Sequence, residues 1–504
     1  MKKITKLIVK TTWFNSPSFY FLVVVISAFC LRYYHLVQLF PFTMDEEYQA
    51  FLAVNTIKTG HVPLIGVNVA GTGLYLGPFF TWFSALIYYV GHLNPLFTGL
   101  VAAFIGTITA GLLYYLIWST GKNTLAALVV GLAYASNPVL VSFDRKFWNP
   151  SLVMLLTILW LLTISKVKQD KRYWILISAV LGAALHVHYS LLILVIPSLV
   201  ILGKTQKKII WSKTASLAVL VFGIFISPLL LFELRHGFLQ SKALLHFGQN
   251  QLSFDIFAKL KVMLGSFGQL GFLGWFSDMF TLFHSNDYPI LLLVLGLIVI
   301  IASLYIAFTH RKQTIFYAIF LAFVSVLAMV VVYPGPISAY YFLPIWPMLI
   351  ALGGLLLSQK EVAQWVFGLI TILILIWITQ SLTLTNHLGF SDKQKVLELV
   401  RSFVQNQPYH LEVLGSDSKY EGYRYLAEYL KLRPVSSYMD AYFDWLYVDQ
   451  ADKQTPIFNV VIYDSLDDSI EAKREWQNWQ KKYDSWHLVT NIHSLNVLIS
   501  KPKD

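Results

Sequence analysis

Apolar segments long enough to cross a bilayer recur along this chain from Phe19 to about Trp377, and they limit its fold more than any other feature. A hydrocarbon core of roughly 30 Å offers no water to backbone polar groups, so a spanning segment must be a helix or a strand of a closed barrel. Runs this long and continuous mean helices. Candidate spans lie near 18–38, 78–92, 96–118, 124–142, 151–165, 173–187, 189–203, 214–232, 290–309, 314–332, 342–358 and 365–384. Only 13% of the 504 residues are charged and 56% are hydrophobic, whereas soluble domains carry about 25% charged residues. The expected fold is an α-helical polytopic membrane protein with eleven to thirteen transmembrane helices.

The net charge of +11 sets orientation and calls for no nucleic acid partner. Short loops carry much of the excess: Lys2, Lys3, Lys6 and Lys10, then "SKVKQDKR" (165–172), "GKTQKK" (203–208) and "HRK" (310–312). Positive loops stay cytoplasmic, so the N-terminus is expected inside. It reads as an uncleaved signal anchor, because a basic start runs into an apolar stretch with no small-residue cleavage site. One cysteine, Cys30, excludes an intrachain disulfide. The acids at 45–47, "HVHYS" (186–190), the segment from Glu233 to about Tyr288 and "VVYPGPISAYY" (331–341) then lie outside. Twelve spans would return the C-terminus to the N-terminal side, while the lysine-rich loops demand an odd number. One short segment between Gly77 and Ser165 is therefore expected to be re-entrant or split.

Beyond about Thr385 charged residues become frequent, and an amphipathic "DKQKVLELVRSFVQNQ" alternates with β-rich runs such as "FNVVIYD" and "HSLNVLIS". The chain thus divides into a membrane domain, 1–384, with external loops 41–77 and 233–289, and a small C-terminal extracytoplasmic α/β domain, 385–504. No internal repeat of the inverted-transporter kind is present in the sequence.

Chemistry is sought where a carboxylate could meet a lipid-borne substrate. In "LFPFTMDEEYQAFLAVN" (39–55), Thr43 can cap a helix whose first turn holds Asp45, Glu46 and Glu47. Acids there complement the helix dipole, which is reason enough for their presence. The helix also has an apolar face that would lie flat on the membrane. It leads into a glycine-bearing loop of low charge, where backbone can approach a ligand closely.

The ordered pieces of the membrane region resemble the GT-C fold glycosyltransferases, in particular the dolichyl-phosphate-mannose protein mannosyltransferases and the lipid A aminoarabinose transferase. These pieces are "LRYYHL", "MDEEY", "GLYLGPFFTWFSALIYYVGHLNP", "SNPVLVSFDRKFWNPS", "SPLLLFELRHGF" and "AYYFLPIWPML". The resemblance implies transfer of a sugar, with inversion, from a polyprenyl-phosphate donor to a protein or glycolipid hydroxyl acceptor at the outer face of the cell membrane. It implies Asp45 as general base, with Glu46 shaping the site and Glu47 without a role. Arg235, His236, Arg145, Tyr340 and Tyr341 become candidates for the donor phosphate, and Tyr75 and Pro78 for a loop near the substrate. Relatives often place a lysine before two prolines at that loop; here "YLGPFF" has none, which leaves the sugar open. Arg145 could equally pair with Asp144, and arginines and tyrosines at helix ends also serve as headgroup anchors.

No metal is expected. His186 and His188 stand two apart with no third ligand beside them, and the monophosphate-donor branch is expected to need no divalent cofactor. A polysaccharide or lipid flippase would line its helices with charge, whereas the candidate acids here lie in a loop. A non-catalytic assembly subunit stays open as the alternative.

Overall fold

The computed structural model describes residues 16–69, 72–205, 212–247, 255–272, 289–333, 335–359, 364–386, 388–415, 421–447, 454–467, 469–482 and 486–500. Among them, six helices of 18 residues or more are long and apolar enough to cross a membrane, and Pro17–Tyr33, Tyr173–Val187, Tyr189–Thr205 and Ile345–Leu357 are shorter apolar helices of the same bundle. The helices Tyr173–Val187, Ile290–Thr309 and Thr314–Val332 begin and end where the apolar runs placed them. Their shared core mixes aliphatic and aromatic side chains, with Trp160, Leu161, Trp346 and Ala351 fully buried.

Two segments depart from the expected spans. Phe79–Val90 is only 12 residues long, and the turn after it meets the C-terminal unit, where Tyr425 donates from its hydroxyl to the Leu93 carbonyl at 3.0 Å. The start of the same helix stacks Phe80 on Phe147 at 5.1 Å. The second departure is a helix inside the expected external loop 233–289. Ile256–Phe272 packs along Ile290–Thr309 through Gly268 and Gly296; a Cβ on either would come within 2.1 Å of Leu292 O or 1.9 Å of Leu264 O. Small residues let helices approach this closely in lipid. Lys259 and Lys261 hide the segment from a hydropathy reading, yet Val262, Met263 and Phe267 are buried.

The C-terminal unit is a five-stranded sheet of order β2-β1-β3-β5-β4, formed by β1 Tyr409–Leu414, β2 Ser436–Ser437, β3 Phe458–Asp464, β4 Trp486–Ile492 and β5 Leu495–Ser500. β1 runs parallel to β2 and β3, in register Leu411 to Val460. β5 runs antiparallel to β3 and β4. Helix Phe390–Val404 turns Val396, Leu397 and Val400 onto the sheet side and buries them. The core of this unit is continuous with Leu36, Phe40, Phe42, Phe51 and Tyr88 of the membrane domain. The helix Met44–Thr59 is consequently not a surface helix lying flat on lipid, as the sequence suggested. It is clamped between bundle and sheet, with Glu46, Glu47, Gln49, Ala50, Phe51, Ala53 and Val54 buried, because the sheet unit covers the apolar face that lipid was expected to cover.

Candidate functional site

The approach to the acidic turn is held by backbone contacts. Phe390 donates its N–H to Phe40 O at 2.8 Å. Lys393, fully buried, donates to the carbonyls of Pro41 and Phe42 and to Glu421. Phe42 sits at φ 46°, a conformation that a bulky residue adopts only when its surroundings impose it. Gly422 lies directly against it: a Cβ there would be 2.5 Å from Phe42 O. The sheet unit thus fixes where the chain enters the helix.

Thr43 and Glu46 then close a capping box. The Glu46 carboxylate accepts from Thr43 N at 3.0 Å and from its hydroxyl at 2.6 Å, satisfying a donor that the helix leaves unpaired. Glu46 is fully buried, and burial pushes its carboxyl above the ordinary range against the opposing pull of Lys146. Glu47 points the other way. It accepts from Tyr425 N at 2.6 Å, and burial pushes it up to about 7 in spite of that bond and of Arg424. Asp45, between them, keeps 57% of its side chain exposed.

Lys146 meets this turn from the opposite segment. Its ammonium donates to Thr43 Oγ1 at 2.7 Å and stands 3.3 Å from Asp45 Oδ2 and 3.7 Å from Glu46 Oε2. It also lies 4.5 Å above the Trp148 ring, a cation–π contact. Burial works to lower its pKa, but Glu46, Asp45 and Glu421 together raise it, so the cation is secure. Gln49 donates to Asn149 at 2.8 Å and ties the helix to the same turn one step further on.

An aromatic wall continues from Trp148. Tyr340 packs on Trp148 at 5.0 Å and on Tyr341 at 4.9 Å, and His188 touches both tyrosines at 5.4 Å. Burial, then the charge of Asp45, holds the Tyr340 hydroxyl up at about 12; the acid and the wall belong to one site. Tyr75, in the loop before Pro78, packs its ring on Phe232 at 6.3 Å, on the His236 side. Its N–H donates to Gln240 at 2.7 Å and its carbonyl accepts from Tyr189 at 2.8 Å. The re-entry at Gly77–Pro78 is pinned by His186, whose Nδ1 accepts from Phe79 N at 3.3 Å and whose Nε2 donates to Phe225 O at 2.7 Å. Both its ring nitrogens are therefore engaged, and His188 bonds Ser190 instead. No group of three His, Cys, Asp or Glu able to hold a metal occurs among the described residues.

The expected residues separate into three places. Asp45, Glu46, Tyr340 and Tyr341 come together. Arg145 is buried and caps the first helix, donating to Leu31 O at 2.7 Å, Tyr34 O at 2.9 Å and Arg32 O at 3.1 Å. It does not pair with Asp144, which bonds Arg32 at 2.8 and 2.6 Å; carbonyls with no helical partner draw the Arg145 guanidinium instead. Arg235 and His236 are exposed at the C-terminal end of the helix Lys213–Arg235, with His236 stacked on Phe232 at 4.2 Å. No described contact joins them to Asp45 or Lys146. Lys146 and Trp148 escaped the sequence reading. Their signal lies in "DRKFWNP" itself, where three successive charged side chains leave a turn in three directions.

Residues 76–232 match the family described as dolichyl-phosphate-mannose-protein mannosyltransferase. The matched stretch contains Lys146 and Trp148 but begins after Asp45. Two crystal structures of ArnT from Cupriavidus metallidurans, one bound to undecaprenyl phosphate and one apo, share the fold. Each aligns at a TM-score of 0.57 and 13% identity, covering 95% of this chain and 97% of that one for the bound form, and 96% and 98% for the apo form. No curated protein sequence matches. The GT-C fold expected from the ordered motifs is the fold this chain has.

Proposed function

We propose that this protein transfers a sugar from a polyprenyl-phosphate donor to a hydroxyl acceptor at the outer face of the membrane. The observation that carries the reading is the pairing of an exposed carboxylate, Asp45, with a sheltered cation, Lys146, against an aromatic wall. In the reaction the acceptor oxygen attacks the anomeric carbon while Asp45 takes its proton, and the bond from that carbon to the phosphate oxygen breaks. The polyprenyl phosphate leaves with the bonding electrons and an added negative charge, so attack from the opposite face inverts the centre. A positioned base contributes roughly 10² to 10⁴ in rate. A preorganised cation stabilises charge where it develops, and Lys146 supplies the lysine that the "YLGPFF" loop lacks. Trp148, Tyr340 and Tyr341 offer faces for a sugar ring. ArnT bound to undecaprenyl phosphate, on the same fold, supports a polyprenyl-phosphate donor.

In this reading residues 1–384 carry the chemistry and 385–504 form the outer unit. Phe79–Val90 lies along the outer face, and an odd number of crossings leaves the lysine-rich loops and the N-terminus cytoplasmic. Lys146 makes a divalent ion unnecessary for the leaving group. The test is purified protein in nanodiscs, given radiolabelled polyprenyl-phosphate hexoses, pentoses and aminopentoses together with membrane extract as acceptor. One donor class is expected to be consumed, with polyprenyl phosphate released, at a rate indifferent to EDTA. Consumption of none of them would overturn the transferase reading in favour of a flippase or an assembly subunit.

A further inference from the structure

Far from Asp45, at the lysine-rich end of the bundle, a groove of about 420 Å³ is lined by four cations: Lys168, Lys204, Arg311 and Lys312. They come from three separate parts of the chain: the turn after Val153–Lys166, the last turn of Val195–Thr205, and the turn between Ile290–Thr309 and Thr314–Val332. Among the described residues no carboxylate lines the groove. The acid of the nearest turn, Asp170, is taken by Arg172 at 2.7 Å.

Two of the cations are held in place. Lys204 donates to the Tyr317 hydroxyl at 2.6 Å and lies 4.1 Å from the ring centroid. Arg311 donates to Phe308 O at 2.8 Å with its guanidinium 3.8 Å over the Phe308 ring. The ordinary rule for loop charge asks only that lysines stay on the cytoplasmic side. It does not ask three segments to aim them into one concavity, where like charges repel unless an anion lies between them.

The apolar side of the groove identifies the anion. On the same helices Leu199 is 61% exposed, Tyr305 69% and Phe308 45%, surfaces that face acyl chains in a membrane. We propose that this groove binds the phosphate headgroup of an anionic phospholipid, with the acyl chains lying along the exposed faces of Val195–Thr205 and Ile290–Thr309. Juxtamembrane cations attract anionic lipid in this way, and basic pockets between helices select headgroups. The site is independent of the transfer reading.

The test uses the full-length protein in neutral detergent, with lipid binding followed by native mass spectrometry and by thermal shift. The probes are phosphatidylglycerol, phosphatidylcholine and inorganic phosphate. Phosphatidylglycerol is expected to bind at micromolar concentration with a rise in melting temperature. Lys204→Gln with Arg311→Gln is expected to weaken it about thirtyfold, while Lys171→Gln, on an exposed lysine outside the groove, leaves it unchanged. Equal binding of phosphatidylcholine, or an unaltered double variant, overturns the proposal. An equal shift from inorganic phosphate at the same concentration overturns the lipid assignment. If the double variant does not fold, the same three probes on wild type and on Lys168→Gln decide between these outcomes.

Discussion

Asp45 and Glu47 stand two residues apart at the start of one helix, and the structure treats them in opposite ways. Two steps along a helix turn a side chain through about 200°, so one carboxylate faces the open site while the other faces the sheet unit. Asp45 is more than half exposed and meets Lys146. Glu47 is sealed against Tyr425 and contributes docking. Sequence spacing makes them equivalent acids of a first turn. Burial makes one a candidate for chemistry and the other part of the frame.

The largest effect expected from this contrast is on Asp45. Asp45→Asn keeps the shape and removes the base, so transfer should fall by about 10² to 10⁴ with the melting temperature unchanged, as donor turnover and calorimetry would register. The frame side should respond in stability. Lys393→Met leaves Glu421 charged and unpartnered in a buried position, and breaking such a pair costs about 3–5 kcal/mol, measurable as a lowered denaturation midpoint of the detergent-solubilised protein.

Glu47 sharpens the contrast through pH. Its folded pKa, about 7, lies above its unfolded value of 4.5, so the folded state binds the proton more tightly. Stability is full below pH 4.5, falls as pH rises toward 7, and is level above it, a loss on the order of 3 kcal/mol. Glu47→Gln should remove that slope in a series of melts between pH 4.5 and 8. Next comes Lys146→Met, which should lower kcat/KM for donor by about 10- to 100-fold, as loss of a charge-assisted contact does, with Lys146→Arg recovering part of it. The smallest effect is expected at Arg235. Exposed and apart from the cluster, its alanine variant should change stability by less than about 0.5 kcal/mol and kcat/KM for donor by under about threefold; a loss as large as that of Lys146→Met would return Arg235 to the site.

Much of the fold was legible because lipid permits few alternatives. The helices Ile290–Thr309 and Thr314–Val332 were readable to the residue from hydropathy and the "HRK" turn. The helix Ile256–Phe272 was not, since its two lysines mask an apolar face and its glycine contacts depend on a partner distant in sequence. The short helix Phe79–Val90, whose following turn meets Tyr425 through Leu93, lies in the region that the parity problem singled out.

Asp45, Tyr340 and Tyr341, picked out by motif order and cap chemistry, are brought together in the candidate site. It was misread at "DRK". Arg145 looked like the phosphate ligand because guanidinium suits phosphate, yet the open end of Pro17–Tyr33 claims it. Lys146, one residue on, reaches the acid. A one-residue step at a turn changes the direction of a side chain completely, and no composition or spacing records which way it goes.

The division of labour between the two acids is decided by initial rates of polyprenyl-phosphate release by Asp45→Asn and Glu47→Gln in the same nanodiscs, each with its melting temperature. Asp45→Asn is expected to lose at least about 100-fold without loss of stability, and Glu47→Gln to keep a rate within a few fold of wild type. Equal rates for Asp45→Asn and wild type, or the greater loss in Glu47→Gln, would contradict that division and make the exposed acid no more than a helix cap.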